Sequence, residues 1–239
     1  MTAPATAPLV VGHRGAAAHA PENTLAAFRR ALEDGAQTLE CDVHLSRDGH
    51  VVVMHDESID RTAAADSPLR TGAIADLTRE QLDTVLLEGG EKVPSLEELL
   101  ALTTVPVFIE VKAAPAAAAV AEQLLALPAG SPAAASTVIS FHPEALAEIR
   151  RSVPEVPVSY LVGAIDEEAL RVAAEIGAAG IGPAVDGLSL GAARAAREAG
   201  LRVNPWTINA AEQLAVALAC EVDTITTDDP AWVRAALEG

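Results

Sequence analysis

The stretch VVGHRGAAAHAPENTLAAF, residues 10–28, begins with an apolar run and passes through His13, Arg14 and Gly15 into a helical pattern. Histidine and arginine are costly to bury, so their place at the end of an apolar strand needs a local reason. A strand followed directly by a helix is the repeating unit of parallel α/β folds. The stretch therefore predicts a strand–helix unit whose strand ends at a site with polar chemistry.

The same strand–helix pattern recurs along the whole chain. Seven further β-rich apolar runs are separated by helical patterns: TLECDV, PVFIEVK, TVISF, PVSYLV, AGIGPA, LRVNPWT and DTITTD. Eight strands that alternate with helices in 239 residues predict a (β/α)8 TIM barrel. A chain of this length that is 50% hydrophobic has enough apolar residues for one core, so we expect a single domain over residues 1–239.

One additional run, HVVVMHD, breaks the alternation because it follows the second strand after only RDG. The pair Asp48-Gly49 is a strong signal for a β-hairpin. We therefore expect residues 51–54 to return antiparallel to the second strand and to bring His55 beside Glu40. Residues 56–94 have few long apolar runs and predict a small insertion after the second strand, over the mouth of the barrel.

The helix after this insertion has a clear start signal. Ser95 and Glu98 have the spacing of a capping box, in which each side chain binds the backbone N–H of the other residue. We expect the delayed second helix of the barrel to begin here.

Charge limits the partners that this chain can bind. The sequence holds 16 basic and 34 acidic residues, a formal net charge of −18. Such a charge repels nucleic acid and anionic lipid surfaces, so we expect a small-molecule ligand and no nucleic acid. An anionic ligand would need a few basic groups or a metal ion to reverse the field locally. The oligomeric state stays open.

Neither the cysteines nor the apolar segments indicate secretion or a membrane. Cys41 and Cys220 fit no disulfide framework and no zinc-binding spacing. No segment offers about 20 uninterrupted apolar residues, so we expect no stable membrane association. The start MTAPATAPLV lacks the pattern of a secretory leader, which favours a cytoplasmic protein, and residues 2–8 read as an unstructured lead-in.

Active sites of TIM barrels lie at the C-terminal ends of the strands. Residues two apart on a strand share a face, so Glu40 and Asp42 are expected to point into one pocket, as are Glu110 and Lys112. Polar or aromatic residues occupy the ends of several predicted strands: His13, Arg14, Glu40, Asp42, His55, Glu110, Lys112, Trp206 and Asp228.

The three carboxylates Glu40, Asp42 and Glu110 would repel one another if they were left unpaired. Oxygen ligands suit a hard divalent cation, Mg²⁺ or Ca²⁺, and the sequence does not choose between the two. The alternative is that Glu40 and Asp42 only pair with Arg14 and Lys112 inside the barrel. The histidines favour the metal site.

His13 and His55 can supply the base and the acid of a displacement near neutral pH. Arg14 offers a planar fork for phosphate or carboxylate oxygens, and Lys112 offers a compact charge. This set of residues indicates phosphoryl chemistry on an anionic substrate. Which histidine acts as the base stays open, and so does the attacking group, a neighbouring hydroxyl or water.

Other polar residues have simpler interpretations. Asn23 and Thr24, with Glu22 before them, are expected to shape and cap the first helix, and either Asp228 or Asp229 is expected to cap the last helix. Trp206 is expected to line the pocket and contact the substrate, with packing at the rim as the alternative.

Taken in order, the blocks HRG, PENTLAAF, LECDVHLSRDGHVVVMHDESIDRT, FIEVK, ISFHPEAL, NPWTIN and TITTDDP resemble the signature blocks of the glycerophosphodiester phosphodiesterase family. The resemblance covers essentially the whole chain and is weakest over residues 124–137 and 163–202. It implies a barrel with a small insertion after the second strand. It also implies a role for each residue of the site: a divalent metal on Glu40, Asp42 and Glu110, catalysis by His13 and His55, and phosphate binding by Arg14 and Lys112.

The reaction that the resemblance implies is hydrolysis of glycerophosphodiesters, such as glycerophosphocholine or glycerophosphoethanolamine, to glycerol 3-phosphate and an alcohol. One alternative is the same mechanism on lysophospholipids or other phosphodiesters, although the polar insertion offers no surface for an acyl chain. Another is a binding module without catalysis, which the complete set of site residues argues against. The headgroup stays open.

Overall fold

The computed structural model describes residues 7–238. Residues 1–6 and 239 lie outside the described part, and with them most of the lead-in expected at residues 2–8. Within residues 7–238, no helix combines the length and the apolar character needed to cross a bilayer.

The sheet confirms the predicted barrel. The strands are β1 (Leu9–Gly12), β2 (Thr38–Leu45), β3 (Val51–Val53), β4 (Val107–Val111), β5 (Thr137–Ser140), β6 (Val158–Val162), β7 (Gly180–Pro183), β8 (Arg202–Val203) and β9 (Thr224–Thr227). Eight of them are parallel in the order β8-β7-β6-β5-β4-β2-β1-β9, and β3 pairs antiparallel with β2.

Backbone hydrogen bonds also cross the seam between the two ends of the sheet. Asp223 N donates to Val203 O at 2.9 Å, and Ile208 N donates to Thr226 O at 2.8 Å. The eight parallel strands therefore form a nearly closed barrel.

Helices surround the sheet, and the apolar core lies between the two layers. Phe28 of the first helix and Leu39 of β2 are fully buried in one cluster, and Ile181 and Val233 are fully buried in a second. Ser95 and Glu98 form the predicted capping box. The helices are α1 (Leu25–Glu33), α2 (Arg79–Leu82), α3 (Leu96–Leu102), α4 (Ala117–Leu125), α5 (Pro143–Ser152), α6 (Glu167–Glu175), α7 (Leu190–Glu198), α8 (Ala211–Ala219) and α9 (Pro230–Glu238).

The predicted hairpin joins β2 and β3. Val43 lies opposite Val53, and Gly49 occupies the turn with a φ of 87°, a backbone conformation that favours glycine. The chain leaves β3 at the C-terminal end of the barrel and reaches His55 there. The hairpin therefore carries a histidine from outside the barrel to the edge of the predicted site.

Residues 56–94 fold on an apolar cluster of their own. Ile59, Ile74 and Leu82 are fully buried in it, together with Val52 of β3. A few apolar residues at wide spacing are enough for this small core, although they form no long run in the sequence. The insertion contacts the loop between β1 and α1 through Arg61, which pairs with Glu22.

Candidate active site

A cavity of about 210 Å³ opens at the C-terminal ends of the strands. Its lining combines polar residues with apolar ones such as Phe108, Ile139 and Leu161, which form the apolar wall of the cavity. Among residues 7–238, none from the insertion at 56–94 lines the cavity. Seven of the predicted site residues line it: His13, Arg14, Glu40, His55, Glu110, Lys112 and Trp206.

The eighth, Asp42, lies beneath this lining with 1% of its surface exposed. Its neighbour across the sheet is Glu110, because the two residues are register partners on β2 and β4. Glu40 lies two residues earlier on β2 and shares the face of Asp42. One carboxylate oxygen from each residue lies within 4.8 Å of the others, and all three residues are buried.

Cations and an amide surround Asp42. Lys112 Nζ lies 3.3 Å from Asp42 Oδ1 and 2.8 Å from Glu110 Oε1. Arg14 Nε lies 3.2 Å from Asp42 Oδ2, which also accepts a hydrogen bond from Asn23 Nδ2 at 2.8 Å. Burial opposes the negative charge, but Lys112 and Arg14 outweigh it and hold the pKa of Asp42 below its ordinary value.

Glu40 and Glu110 are less well neutralised. Burial, with a contribution from the charge of Asp42, raises the pKa of Glu40 to about 8, and the same two causes raise the pKa of Glu110. Glu40 accepts a hydrogen bond from the backbone N–H of Arg14 at 2.9 Å. No ion pair with Lys or Arg involves Glu40 within the described residues, so pairing with cations does not account for the whole cluster.

The donor set fits a hard divalent cation. Three buried carboxylates offer oxygen ligands within a small volume, which is the coordination that Mg²⁺ and Ca²⁺ prefer. Asp42 Oδ1 is buried and accepts no hydrogen bond from the described residues, although Lys112 lies nearby. A bound cation would lower the pKa of Glu40 and Glu110 because it favours their charged forms.

His13 is fixed by a residue from the opposite end of the chain. Its Nδ1 lies 2.6 Å from Asp228 Oδ1, and Asp228 Oδ2 accepts a hydrogen bond from Asn209 Nδ2 at 2.6 Å. Burial opposes protonation of the ring, but the bond to Asp228 and the charge of Glu40 outweigh it and raise the pKa of His13. A carboxylate accepts the Nδ1 proton, so Nε2 is the nitrogen left to exchange a proton in the cavity.

His55 is held in the same way by its neighbour in the sequence. Its Nδ1 lies 2.7 Å from Asp56 Oδ1. Hydrogen bonds from Arg61, and then the bond with His55, lower the pKa of Asp56 to about 2, so this carboxylate stays charged. Both predicted catalytic histidines therefore have Nδ1 on a carboxylate and line the same cavity.

The structure shows which of the candidate residues cap the first and last helices. Thr24 caps α1 by accepting from Ala27 N at 3.1 Å, and Asp229 caps α9 by accepting from Trp232 N at 3.0 Å. Asn23 and Asp228 instead hold Asp42 and His13. The sequence signal for Asp228 was its place at the end of the eighth strand, where other site residues occur.

Aromatic side chains form part of the apolar wall. Trp206 lines the cavity, and its Nε1 donates to Gly182 O at 2.9 Å. Phe141 packs edge-to-face against it, with ring centroids 5.4 Å apart and planes at 87°. Phe141 was missed, although it directly follows β5 in the sequence.

The fold and site define a TIM-barrel enzyme whose cavity combines a carboxylate cluster with basic groups. The model of the glycerophosphoryl diester phosphodiesterase family matches residues 13–232, and the chain belongs to this family. Its members are phosphoric diester hydrolases, and this chain is one of them.

Relatives match over nearly their whole length. A glycerophosphodiester phosphodiesterase of Caldanaerobacter subterraneus is 31% identical over 234 residues, covering 93% of this chain and 94% of the relative. A probable glycerophosphodiester phosphodiesterase 1 of Mycobacterium tuberculosis is 33% identical, covering 97% of this chain and 93% of the relative.

Solved structures share the barrel. A phosphodiesterase of Oleispira antarctica, solved in complex with the product sn-glycerol-3-phosphate, superposes with a TM-score of 0.88 at 25% identity and covers 97% of both chains. A Silicibacter pomeroyi protein described as a glycerophosphoryl diester phosphodiesterase superposes with a TM-score of 0.86 at 26% identity, covering 97% of this chain and 93% of that one.

Proposed function

We propose that this chain hydrolyses glycerophosphodiesters, such as glycerophosphocholine or glycerophosphoethanolamine, to glycerol 3-phosphate and an alcohol, with Mg²⁺ or Ca²⁺ as cofactor. The observation that carries the proposal is the placement of two carboxylate-bound histidines around one cavity with a carboxylate cluster. The names of the relatives and the product bound by the Oleispira antarctica enzyme support the substrate class.

In this proposal Glu40, Asp42 and Glu110 hold the divalent cation, which supplies positive charge to the phosphate oxygens and the attacking group. Arg14 and Lys112 bind further phosphate oxygens, because both side chains reach the cavity beside the cluster. Trp206 and the apolar wall together contact the part of the substrate that is not phosphate. Together, the cation, Arg14 and Lys112 give the phosphate a locally positive field, although the chain has a net charge of −18.

His13 and His55 transfer the protons. One histidine accepts a proton through Nε2 from the attacking hydroxyl or water as its oxygen bonds to phosphorus. The other donates a proton to the leaving alcohol oxygen as the bond between this oxygen and phosphorus breaks. Where a hydroxyl of the substrate attacks, this step leaves a cyclic glycerophosphate, and water then opens the ring in a second displacement to give glycerol 3-phosphate. Asp228 and Asp56 keep each Nδ1 occupied, so that Nε2 faces the reaction.

The experiment is release of glycerol 3-phosphate from glycerophosphocholine by the purified chain, measured with Mg²⁺, with Ca²⁺ and with EDTA. We expect release with at least one of the two cations and loss of release in EDTA. Equal rates in EDTA would contradict the metal site, and release of phosphocholine would contradict the side of cleavage.

A matched pair of variants separates the metal site from general damage. Asp42→Asn should abolish metal-dependent release because it removes a charge from the centre of the cluster. Asp34→Asn should leave release unchanged, because within the described residues the Asp34 side chain pairs only with the half-exposed Arg30 on α1.

A further inference from the structure

Arg61 lies in the insertion, outside the cavity lining, with about half of its side chain exposed. Its guanidinium group nevertheless binds two carboxylates at once. Nε and Nη2 donate to Asp56 at 2.6 and 3.1 Å, and Nη1 and Nη2 donate to Glu22 at 3.0 and 2.7 Å. Both contacts use the planar fork of arginine, a geometry that lysine cannot reproduce.

Each of these carboxylates in turn holds a residue of the cavity. Asp56 Oδ1 lies 2.7 Å from His55 Nδ1, and Glu22 Oε1 accepts from Arg14 Nη1 at 3.1 Å. A continuous chain of charged hydrogen bonds therefore runs from His55 through Arg61 to Arg14. It joins one of the two histidines to one of the two phosphate-binding groups.

The charges along this chain of hydrogen bonds stabilise one another. Asp56 and Glu22 would repel if no cation lay between them. Burial opposes the charge on Glu22, but hydrogen bonds from Arg61 outweigh it and lower the pKa of Glu22. A charged carboxylate accepts more strongly from His55 and Arg14 than a protonated one.

The insertion fixes the position of Arg61. Ile59, two residues earlier, is fully buried in the small apolar cluster, and its backbone N–H donates to Gly72 O at 3.1 Å. Ala63 N donates back to Ile59 O at 2.9 Å, so the residues on either side of Arg61 form a turn. The insertion thus presents Arg61 to the active site from outside the barrel.

We infer that Arg61 is a positioning residue for the reaction: it clamps Asp56 and Glu22 so that His55 and Arg14 are held together in their working orientation. The inference rests on the proposed function for the roles of His55 and Arg14. It assigns to the insertion a task in catalysis, although the insertion adds no residue to the cavity wall.

The kinetic test compares Arg61→Ala with Arg70→Ala, since Arg70 is exposed in the same insertion and lies outside the chain of hydrogen bonds. We expect Arg61→Ala to lower kcat and raise KM for glycerophosphocholine, with kcat/KM reduced by about 10- to 100-fold. Millimolar guanidinium should restore part of this loss, and Arg61→Lys should restore little. Arg70→Ala should match the wild type.

Two kinetic results would overturn the inference. If the wild type is active and Arg61→Ala stays within twofold of Arg70→Ala, Arg61 positions nothing. A loss that guanidinium does not restore, accompanied by a lower Tm, would show a role in folding alone.

A second measurement does not depend on activity, so a failure of the proposed function remains distinguishable. Nitrogen-15 NMR of the imidazole rings reports which ring nitrogen carries the proton. Arg61→Ala should change the ring signals of His55 and leave those of His13 unchanged, because His13 is held by Asp228. Unchanged signals of His55 would overturn the inference even if the wild type hydrolysed no substrate.

Discussion

Two sides of the cavity present the same pair, a histidine with Nδ1 on a carboxylate, but they are built differently. On the barrel side, His13 follows β1 and binds Asp228, which lies 215 residues away after β9. On the hairpin side, His55 follows β3 and binds the next residue, Asp56. The side chain of His13 is 17% exposed, whereas that of His55 is 32% exposed.

The supports of the two carboxylates differ as well. Asn209, which donates to Asp228, also accepts from Asp228 N at 2.9 Å and from Thr227 Oγ1 at 3.1 Å, so its amide is fixed. Arg61, which donates to Asp56, comes from the insertion and is half-exposed. The barrel side therefore depends on closure of the sheet, and the hairpin side depends on local sequence and the insertion.

The largest effects should come from the histidines themselves. We expect His13→Ala and His55→Ala each to lower kcat by about 10²- to 10⁴-fold, because each would remove one of the two proton-transfer groups of the proposed mechanism. The double variant should lose little more than either single variant, since the two histidines act as a unit in the proposed mechanism. Steady-state hydrolysis of glycerophosphocholine measures these losses.

His50→Ala is the control for these variants, because His50 is exposed at the hairpin turn. Near wild-type activity in either His13→Ala or His55→Ala would break the comparison, because that side of the cavity would then transfer no proton.

The next effects should come from the carboxylates and should separate the two sides. Asp228→Asn and Asp56→Asn each place an amide donor against another donor, so we expect kcat to fall by about 10- to 100-fold in both. Asp228→Asn should also lower the free energy of unfolding by about 1–3 kcal/mol, because the fixed Asn209 cannot move aside. Asp56→Asn should lower it by less than about 1 kcal/mol, since Arg61 is half-exposed and water can replace the hydrogen bonds that it loses.

Kinetics and thermal unfolding of the two variants, side by side, provide this measurement. An equal loss of Tm in both would show that the two sides are equally coupled to the fold, against the difference inferred from their contacts.

The last effect concerns stability alone, and it depends on pH in the absence of metal. Burial raises the pKa of Glu40 to about 8 from an ordinary 4.5, so the folded chain holds a proton in this window that the unfolded chain has lost. The free energy of unfolding therefore falls as pH rises between these values. In EDTA, Glu40→Gln should remove this fall and raise Tm above that of the wild type near pH 9, by about 2–4 °C for each kcal/mol gained.

Below the ordinary pKa of glutamate the two proteins should unfold at similar temperatures, because both carry a neutral side chain at position 40. On the hairpin side, the dependence of stability on pH has the opposite sign. The lowered pKa of Asp56, about 2, adds stability that is lost as pH falls toward that value. A wild type that gained stability from pH 5 to pH 9 in EDTA, relative to Glu40→Gln, would contradict the effect expected for Glu40.

Much of the site was predictable because strand geometry is regular. Side chains two apart on a strand share a face, so Glu40 and Asp42 could be placed together before any contact was known. The Asp48-Gly49 turn likewise predicted the hairpin that returns His55 to the barrel. These inferences need only local conformation and the rule that the active sites of barrels lie at the C-terminal ends of strands.

Contacts between distant segments were not predictable in this way. Asn23 was expected to cap a helix, but its positive φ of 57° accompanies a side chain that binds Asp42. Arg61 falls in one of the blocks that resemble the family, but the sequence assigned it no partner, because Glu22 lies 39 residues away in another segment. A single polar residue in a loop has many possible partners, and only the packed fold selects one.

By itself, the sequence determined the alternation of strands and helices, the hairpin and the residue types at the strand ends. These follow from periodic burial and turn chemistry, which act over a few residues. The tertiary structure alone decided that Asp228 orients His13 and that Arg61 links His55 to Arg14. Those contacts exist because closure of the barrel and folding of the insertion bring together side chains whose distance along the chain gives no information about their distance in space.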